Sequence, residues 1–443
     1  MTLRALAVLG LALVAAAASG AGSGQSVEAF EVTADAALSR TPASASATWC
    51  GRPSAVDRAP NAVAGHPVHW IYAIPSDGPD RFSTYASVMQ TDAEAIDAWW
   101  RREDSLRTPR NDLTRLPCGT QLDLTSLRVE LAGAQLEGGS SFQRIFTAIA
   151  QDGFDSEVTK YVVYYDGPVS AQSAEVCGRG GGNDDGIGLA VVYVRSCVGA
   201  STAAIAAHEI LHTLGAVPFG APNDCGGHVC GNPSDLMNPT ISGLTLEQKV
   251  LDAGRDDYYG HLGAQLDTQD APWLLQLDRQ VPLRVNVSGP GRVSANLPGL
   301  VCARSCTTTW NDGTRLALSA TPGRAAKLVR WSGACRAAGP CEVTVAPGAT
   351  VTALFAPRVF ELAVGVAGRG SVRTAGRRAT CRQRCSAALP SYVPVRLTAT
   401  PAKGWKLRSW TGACRGQKRT CTLPMSRKTR ARAVFVRLPQ RAR

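Results

Sequence analysis

Five residues of the 443-residue chain combine types and spacing that can do chemistry together: His208-Glu209-Ile210-Leu211-His212. Residues four apart on a helix lie one above the other, so His208 and His212 can present two imidazoles to one ion. A carboxylate directly after the first histidine is placed to take a proton from a water that zinc has made more acidic. Such a set supports hydrolysis by a metal-activated water, with no side-chain nucleophile. The same short pattern also occurs on helices as a solvated face or a buried pair, so its surroundings must decide.

Here the surroundings favour the metal. The helix expected over residues 201–214 is strongly apolar, Gly215 stands three residues after His212 in the position of a left-handed C-cap, and Asp235-Leu236-Met237-Asn238-Pro239 follows downstream. With these additions the sequence resembles the metzincin clan of zinc peptidases, whose extended motif is His-Glu-x-x-His-x-x-Gly-x-x-His followed by a methionine-containing turn. The match covers His208, Glu209, His212, Gly215 and Met237, and it breaks at the third ligand, where this chain has Pro218. A catalytic zinc site usually has three protein ligands and one open position. Of the six histidines, only His228 lies between the helix and the methionine turn. It is the candidate third ligand, reached through an insertion of ten residues relative to the motif. Asp224 and Asp235 are its rivals, because carboxylates also bind zinc. Cys225 and Cys230 bracket His228, and a bridge between them would restrict the imidazole.

The resemblance implies an α+β zinc peptidase domain in which His208, His212 and His228 hold Zn2+, Glu209 is the general base and Met237 forms an apolar floor. It also implies that residues 188–195, just before the active-site helix, form a rim that takes up a protein or peptide substrate by strand pairing. Two rival readings belong to other classes: a surface-binding or adhesion protein whose zinc domain is catalytically silent, and a zinc hydrolase of a non-protein amide. Glu209 argues against the first, since a structural zinc site has no need of a carboxylate there.

The elements that must position these residues are partly legible. Val68-His69-Trp70-Ile71-Tyr72-Ala73-Ile74 has the content of a strand, stopped by Pro75-Ser76-Asp77-Gly78-Pro79. Thr91-Asp92-Ala93-Glu94 is a capping-box pattern expected to open a helix through Ile96, Trp99 and Trp100. Phe142, Ile145, Phe146 and Ile149 mark one helical face. Apolar strands are expected over residues 160–165 and 188–194, separated by a glycine-rich stretch, 177–186, that reads as a loop. In that loop Asp184 and Asp185 are a candidate Ca2+ pair, although the remaining oxygen ligands of such a site are not evident. Tyr258 and Tyr259 are placed either to line a cleft or to pack, and His261 lies too far along to be preferred as a ligand.

An apolar run over residues 5–18 behind Arg4, followed by small residues, reads as a signal peptide over 1–21 and is too short for a comfortable membrane span. Residues 22–48 read as a disordered leader. The chain is thus expected to be secreted or associated with a cell surface, and free of the membrane after cleavage. Fourteen cysteines in an oxidising compartment predict seven disulfides. Cys177 pairs with Cys197 and Cys50 with Cys118 on this reading. The peptidase domain is expected over residues 49–282.

Charge divides the chain. Residues 1–282 carry 18 Lys+Arg against 32 Asp+Glu, and residues 283–443 carry 29 against 3. The basic part contains an internal repeat: Cys302, Cys306, Pro322, Trp331 and Cys335 recur 79 positions later as Cys381, Cys385, Pro401, Trp410 and Cys414, while Cys341 and Phe355 recur 80 later as Cys421 and Phe435. Two small all-β modules, 283–357 and 358–443, follow from this, stapled by Cys302–Cys306, Cys335–Cys341, Cys381–Cys385 and Cys414–Cys421. They resemble bacterial cell-surface or secreted repeats carrying Gly-x-Gly-x-Val, Cys-x-x-x-Cys, Trp-x-Gly-x-Cys and a terminal Phe, a resemblance that implies no enzymatic role. Their charge suits an anionic cell-wall polymer or polysaccharide, and no specific nucleic-acid motif is present.

Overall fold

The computed structural model describes residues 29–34, 48–59, 61–169, 176–182, 184–241, 243–336, 340–376, 380–391 and 393–439. The expected signal peptide lies outside them. In chain order the first part contains β1 (Ala29–Ala34), β2 (Val68–Ile74), α1 (Phe82–Glu103), β3 (Arg107–Pro109), β4 (Leu113–Leu116), β5 (Gly119–Leu122), β6 (Leu124–Arg128), α2 (Gly133–Leu136) and α3 (Ser141–Gln151). It continues with β7 (Lys160–Tyr165), β8 (Val176–Gly182), β9 (Gly188–Tyr193), α4 (Thr202–Thr213), β10 (Thr240–Ile241) and β11 (Leu274–Gln276).

Seven of these strands form one mixed sheet in the order β10-β1-β8-β9-β7-β2-β6. The apolar run of β2 is buried on both faces, as a central strand covered by helices must be. Trp70, Tyr72 and Ile74 face the core shared with α1 and α4, whereas Ile71 and Ala73 face the core shared with α3.

Several expectations fail here for identifiable reasons. Among the described residues the chain is mostly β, 42% strand against 15% helix, in several separate sheets, and the α+β metzincin-like fold class expected for it does not hold. Local pattern hid strands that long-range packing creates. The stretch read as a glycine loop contains β8, antiparallel to β9. A strand of glycines is poor by propensity, but glycine inside a strand marks close backbone approach, and β8 lies against α4. Part of the stretch read as a disordered leader is β1, which pairs antiparallel with β8 and parallel with β10. The expected substrate rim, β9, is an interior strand held by β7 on one side and β8 on the other. Nor does Thr91 open a helix: α1 starts at Phe82, and the Thr91 hydroxyl donates to the Ser87 carbonyl inside it.

The basic part is two copies of one eight-stranded unit. The first comprises β12 (Gln280–Ser288), β13 (Gly291–Ala295), β14 (Val301–Cys302), β15 (Cys306–Asn311), β16 (Arg315–Pro322), β17 (Ala326–Gly333), β18 (Cys341–Thr344) and β19 (Thr350–Pro357). The second comprises β20 (Val359–Ala367), β21 (Gly370–Thr374), β22 (Thr380–Cys381), β23 (Arg384–Pro390), β24 (Val395–Pro401), β25 (Trp405–Gly412), β26 (Thr420–Leu423) and β27 (Thr429–Arg437). Each unit has two four-stranded sheets, β15-β12-β19-β17 with β14-β13-β16-β18, and β23-β20-β27-β25 with β22-β21-β24-β26. The inner faces of each pair share one apolar core.

The repeated glycines have a packing cause. A Cβ on Gly291 would lie 2.5 Å from the Phe355 ring, and one on Gly370 would lie 2.5 Å from the Phe435 ring, so each terminal phenylalanine seats on a glycine. All seven disulfides join the expected partners. Among the described residues no helix is long and apolar enough to cross a membrane.

Candidate metal centre

Helix α4 is capped as its sequence suggests. The Ser201 hydroxyl accepts from the Ala204 amide at 3.2 Å, and Gly215 ends the helix at φ +83°. Ala203 through Thr213 are all buried, so the polar side chains on this helix need internal partners or a ligand.

Three imidazoles converge there. His212 Nε2 lies 3.0 Å from His208 Nε2 and 3.2 Å from His228 Nε2. Carbonyls fix two of the tautomers. His208 Nδ1 donates to the Leu236 carbonyl at 2.6 Å and His228 Nδ1 to the Gly226 carbonyl at 3.2 Å, which leaves both Nε2 atoms with inward lone pairs. One proton on His212 Nε2 can serve only one of them. Three nitrogens bound tetrahedrally to one zinc would be about 3.3 Å apart, so the donor set fits that ion in number, type and spacing. Burial is the main reason that the imidazoles favour neutrality: it pulls His208 down to about 3, with the His228 ring adding to the effect, and lowers His212 and His228 as well.

The insertion before His228 is braced. Cys225 and Cys230 close the loop, the Cys225 amide donates to the His228 carbonyl at 2.9 Å, and the Val229 amide donates to the Met237 carbonyl at 2.9 Å. Met237 is fully buried in the core beside α4. The rival ligands are engaged elsewhere. Asp224 accepts from the Gly227 amide, and Asp235 accepts from the Met237 and Ala253 amides and the Tyr258 hydroxyl. Tyr258 and Tyr259 are fully buried packing residues, with Tyr259 bonded to Asp104 and Trp100. His261 contacts the Leu266 carbonyl and does not join the three histidines. Asp184 and Asp185 are exposed on the turn after β8 and form no ligand cluster among the described residues.

Glu209 is 0% exposed, and among the described residues neither carboxylate oxygen has a hydrogen-bond partner. Burial first, then the nearby Glu31 carboxylate, hold it well above the ordinary carboxylate range, against the pull of Arg179. The glycines of β8 make room for it. A Cβ on Gly178 would lie 2.5 Å from Glu209 Oε1 and 2.7 Å from Ile205 Cγ2. Gly178→Ala is therefore expected to cost about 1–3 kcal/mol of stability by overpacking, measurable as a lowered urea midpoint.

Sequence reasoning missed what covers the centre. Strand β1 runs along β8 with Glu31 opposite Arg179, and the two side chains form an ion pair. The Glu31 main chain lies close enough to the His228 ring to influence its protonation. A β-branched, alternating Glu31-Val32-Thr33 is the faint signal for this strand, and Val32 is fully buried.

Comparison with known proteins informs the basic part. No curated protein matches the chain significantly. Among solved structures, a major pilin protein (T-13) of Streptococcus pyogenes is 8% identical, covering 37% of this chain and 97% of that one at a TM-score of 0.20. Wild-type OgpA of Akkermansia muciniphila is 11% identical, covering 87% and 99% at a TM-score of 0.26. Scores this low carry no conclusion about fold or activity. The model of the divergent InlB B-repeat domain matches residues 284–358 and 368–438, so the two C-terminal modules are bacterial repeat units of that kind.

Proposed function

We propose that the chain is an exported zinc-dependent endopeptidase, with His208, His212 and His228 as metal ligands and Glu209 as general base. The observation that carries this reading is the convergence of three Nε2 atoms, two of them from the helix that also carries Glu209, whose buried carboxylate has no hydrogen-bond partner among the described residues. Zinc bound there would supply a Lewis acid that polarises a carbonyl and makes a water easier to deprotonate. Glu209 takes that proton on a carboxylate oxygen and delivers it to the leaving amine. The β8 main chain, now paired with β1, is the edge on which an extended peptide can lie, a mode that recognises backbone more than side chains. The C-terminal modules serve as attachment units for an anionic polymer, in keeping with their 29 Lys+Arg against 3 Asp+Glu.

Since β1 lies over the centre, the test uses a chain beginning at Thr48 alongside one beginning at Gly22. The shorter chain is expected to cleave a peptide library about tenfold faster or more, because an open state populated at a tenth or less lowers apparent affinity by that factor. Chelator is expected to abolish cleavage by both. A zinc-loaded short chain that cleaves nothing would overturn the reading.

A further inference from the structure

The two modules share a fold but differ on one sheet face. In the second, Leu362, Val364, Ala431 and Ala433 point into the core, so Ala363, Gly365, Arg430 and Arg432 point outward. Register places Gly365 between Arg384 on β23 and Arg432 on β27, and Ala363 between Ser386 and Arg430. Thr411 on β25 stands beside Arg432. The central strand thus forms a floor of small residues walled by three guanidiniums, a groove of about 620 Å³. Among the described residues none of these arginines forms a salt bridge with a carboxylate. Glu361, the acidic residue on the same strand, is engaged by Lys428 at 2.6 Å and feels Arg430 as a weaker influence.

The first module supplies an internal control. The same register sets Arg284 and Asn286 on the floor, with Thr350 and Thr352 where Arg430 and Arg432 stand. By the 79-residue offset, Ser305 takes the place of Arg384. There the Asn286 side chain donates to the Thr352 hydroxyl at 3.3 Å, across the floor. The fold therefore needs none of the three arginines.

We infer that this face of the second module binds an anionic polysaccharide along β20, its carboxylate or sulfate groups held by Arg384, Arg430 and Arg432. Guanidinium forks match such oxyanions in a bidentate fashion. Arg430 and Arg432, two residues apart on one strand, sit about 7 Å apart along it, and Arg384 lies two strand spacings, about 10 Å, across from Arg432, which suits charges spaced along a polymer. The Ser386 and Thr411 hydroxyls offer hydrogen bonds to sugar hydroxyls. Charge complementarity names the ligand class: residues 358–443 carry 21 Lys+Arg and one acidic residue, residues 283–357 only 8 and two.

The inference rests on the reading of the modules as attachment units and is independent of the metal centre. Its test uses the full chain on immobilised heparin, with polyphosphate and dextran as competitors. The triple variant Arg384→Ser, Arg430→Thr, Arg432→Thr carries the first module's residues, which this fold accommodates. A control removes three exposed arginines of the other sheet and its border: Arg373→Ser, Arg396→Ser, Arg419→Ser. The expected result is salt-sensitive binding weakened about tenfold or more by the groove variant and less than threefold by the control. Heparin binding lowered equally by both variants, or displaced more readily by polyphosphate than by free heparin, would overturn the groove while leaving attachment standing. No heparin binding by the wild-type chain would overturn both.

Discussion

Glu209→Gln is expected to lower peptide hydrolysis about 10²–10⁴-fold, the range typical of general acid–base catalysis, while zinc content stays at the wild-type level. The amide keeps the shape of the carboxylate, which lies so close to Gly178 and Gly180 that a Cβ on either would clash with it. It removes the oxygen that can hold and pass on a proton. The residue is not needed to fix a neighbour, because neither carboxylate oxygen has a hydrogen-bond partner among the described residues. Measuring kcat together with metal stoichiometry separates chemistry from metal loss. A glutamine variant within tenfold of wild type would remove Glu209 from the role of base.

The second large effect is expected at His228. His228→Ala leaves two protein ligands on α4, and zinc affinity should fall by more than about 100-fold, since even residues that only orient ligands are worth 10–100-fold. Asp235→Asn is the informative contrast. That carboxylate already accepts from two amides and the Tyr258 hydroxyl, so its loss should cost about 1–3 kcal/mol of stability and leave the metal in place. Zinc content after dialysis and urea melts of both variants check this pair. Retention of zinc by His228→Ala together with its loss in Asp235→Asn would reverse the ligand assignment.

Much of the site could be read from sequence because its rules are local. Ser201 and Gly215 bound α4, the spacing of His208 and His212 fixes one face, and His228 follows by elimination among six histidines. The repeat was legible for a similar reason: Trp331, Trp410, Phe355 and Phe435 are buried, and each phenylalanine has its glycine seat. What failed depended on distant partners. β8 is extended although rich in glycine, because α4 passes so near that a Cβ on Gly180 would meet the Glu209 carbonyl at 2.6 Å. β1 is only six residues long, set in an Ala/Ser/Thr-rich stretch, and its pairing partners β8 and β10 are distant in sequence. The metzincin resemblance rested on residues near the metal and spoke for a fold class that the described chain, mostly strand, does not have.

Strand β1 belongs to the same molecule as the edge it covers, separated from Thr48 by residues 35–47. A segment tethered so closely competes at an effective concentration on the order of millimolar. On the proposed reading, a free peptide must therefore exceed that level, or bind more tightly than β1, to reach β8 in the intact chain. Cutting between Ala34 and Thr48 turns this permanent neighbour into a dilute one that can diffuse away. Peptide affinities measured before and after such a cut are then expected to differ for the same strand edge, and the difference reports the tether rather than the chemistry beneath it.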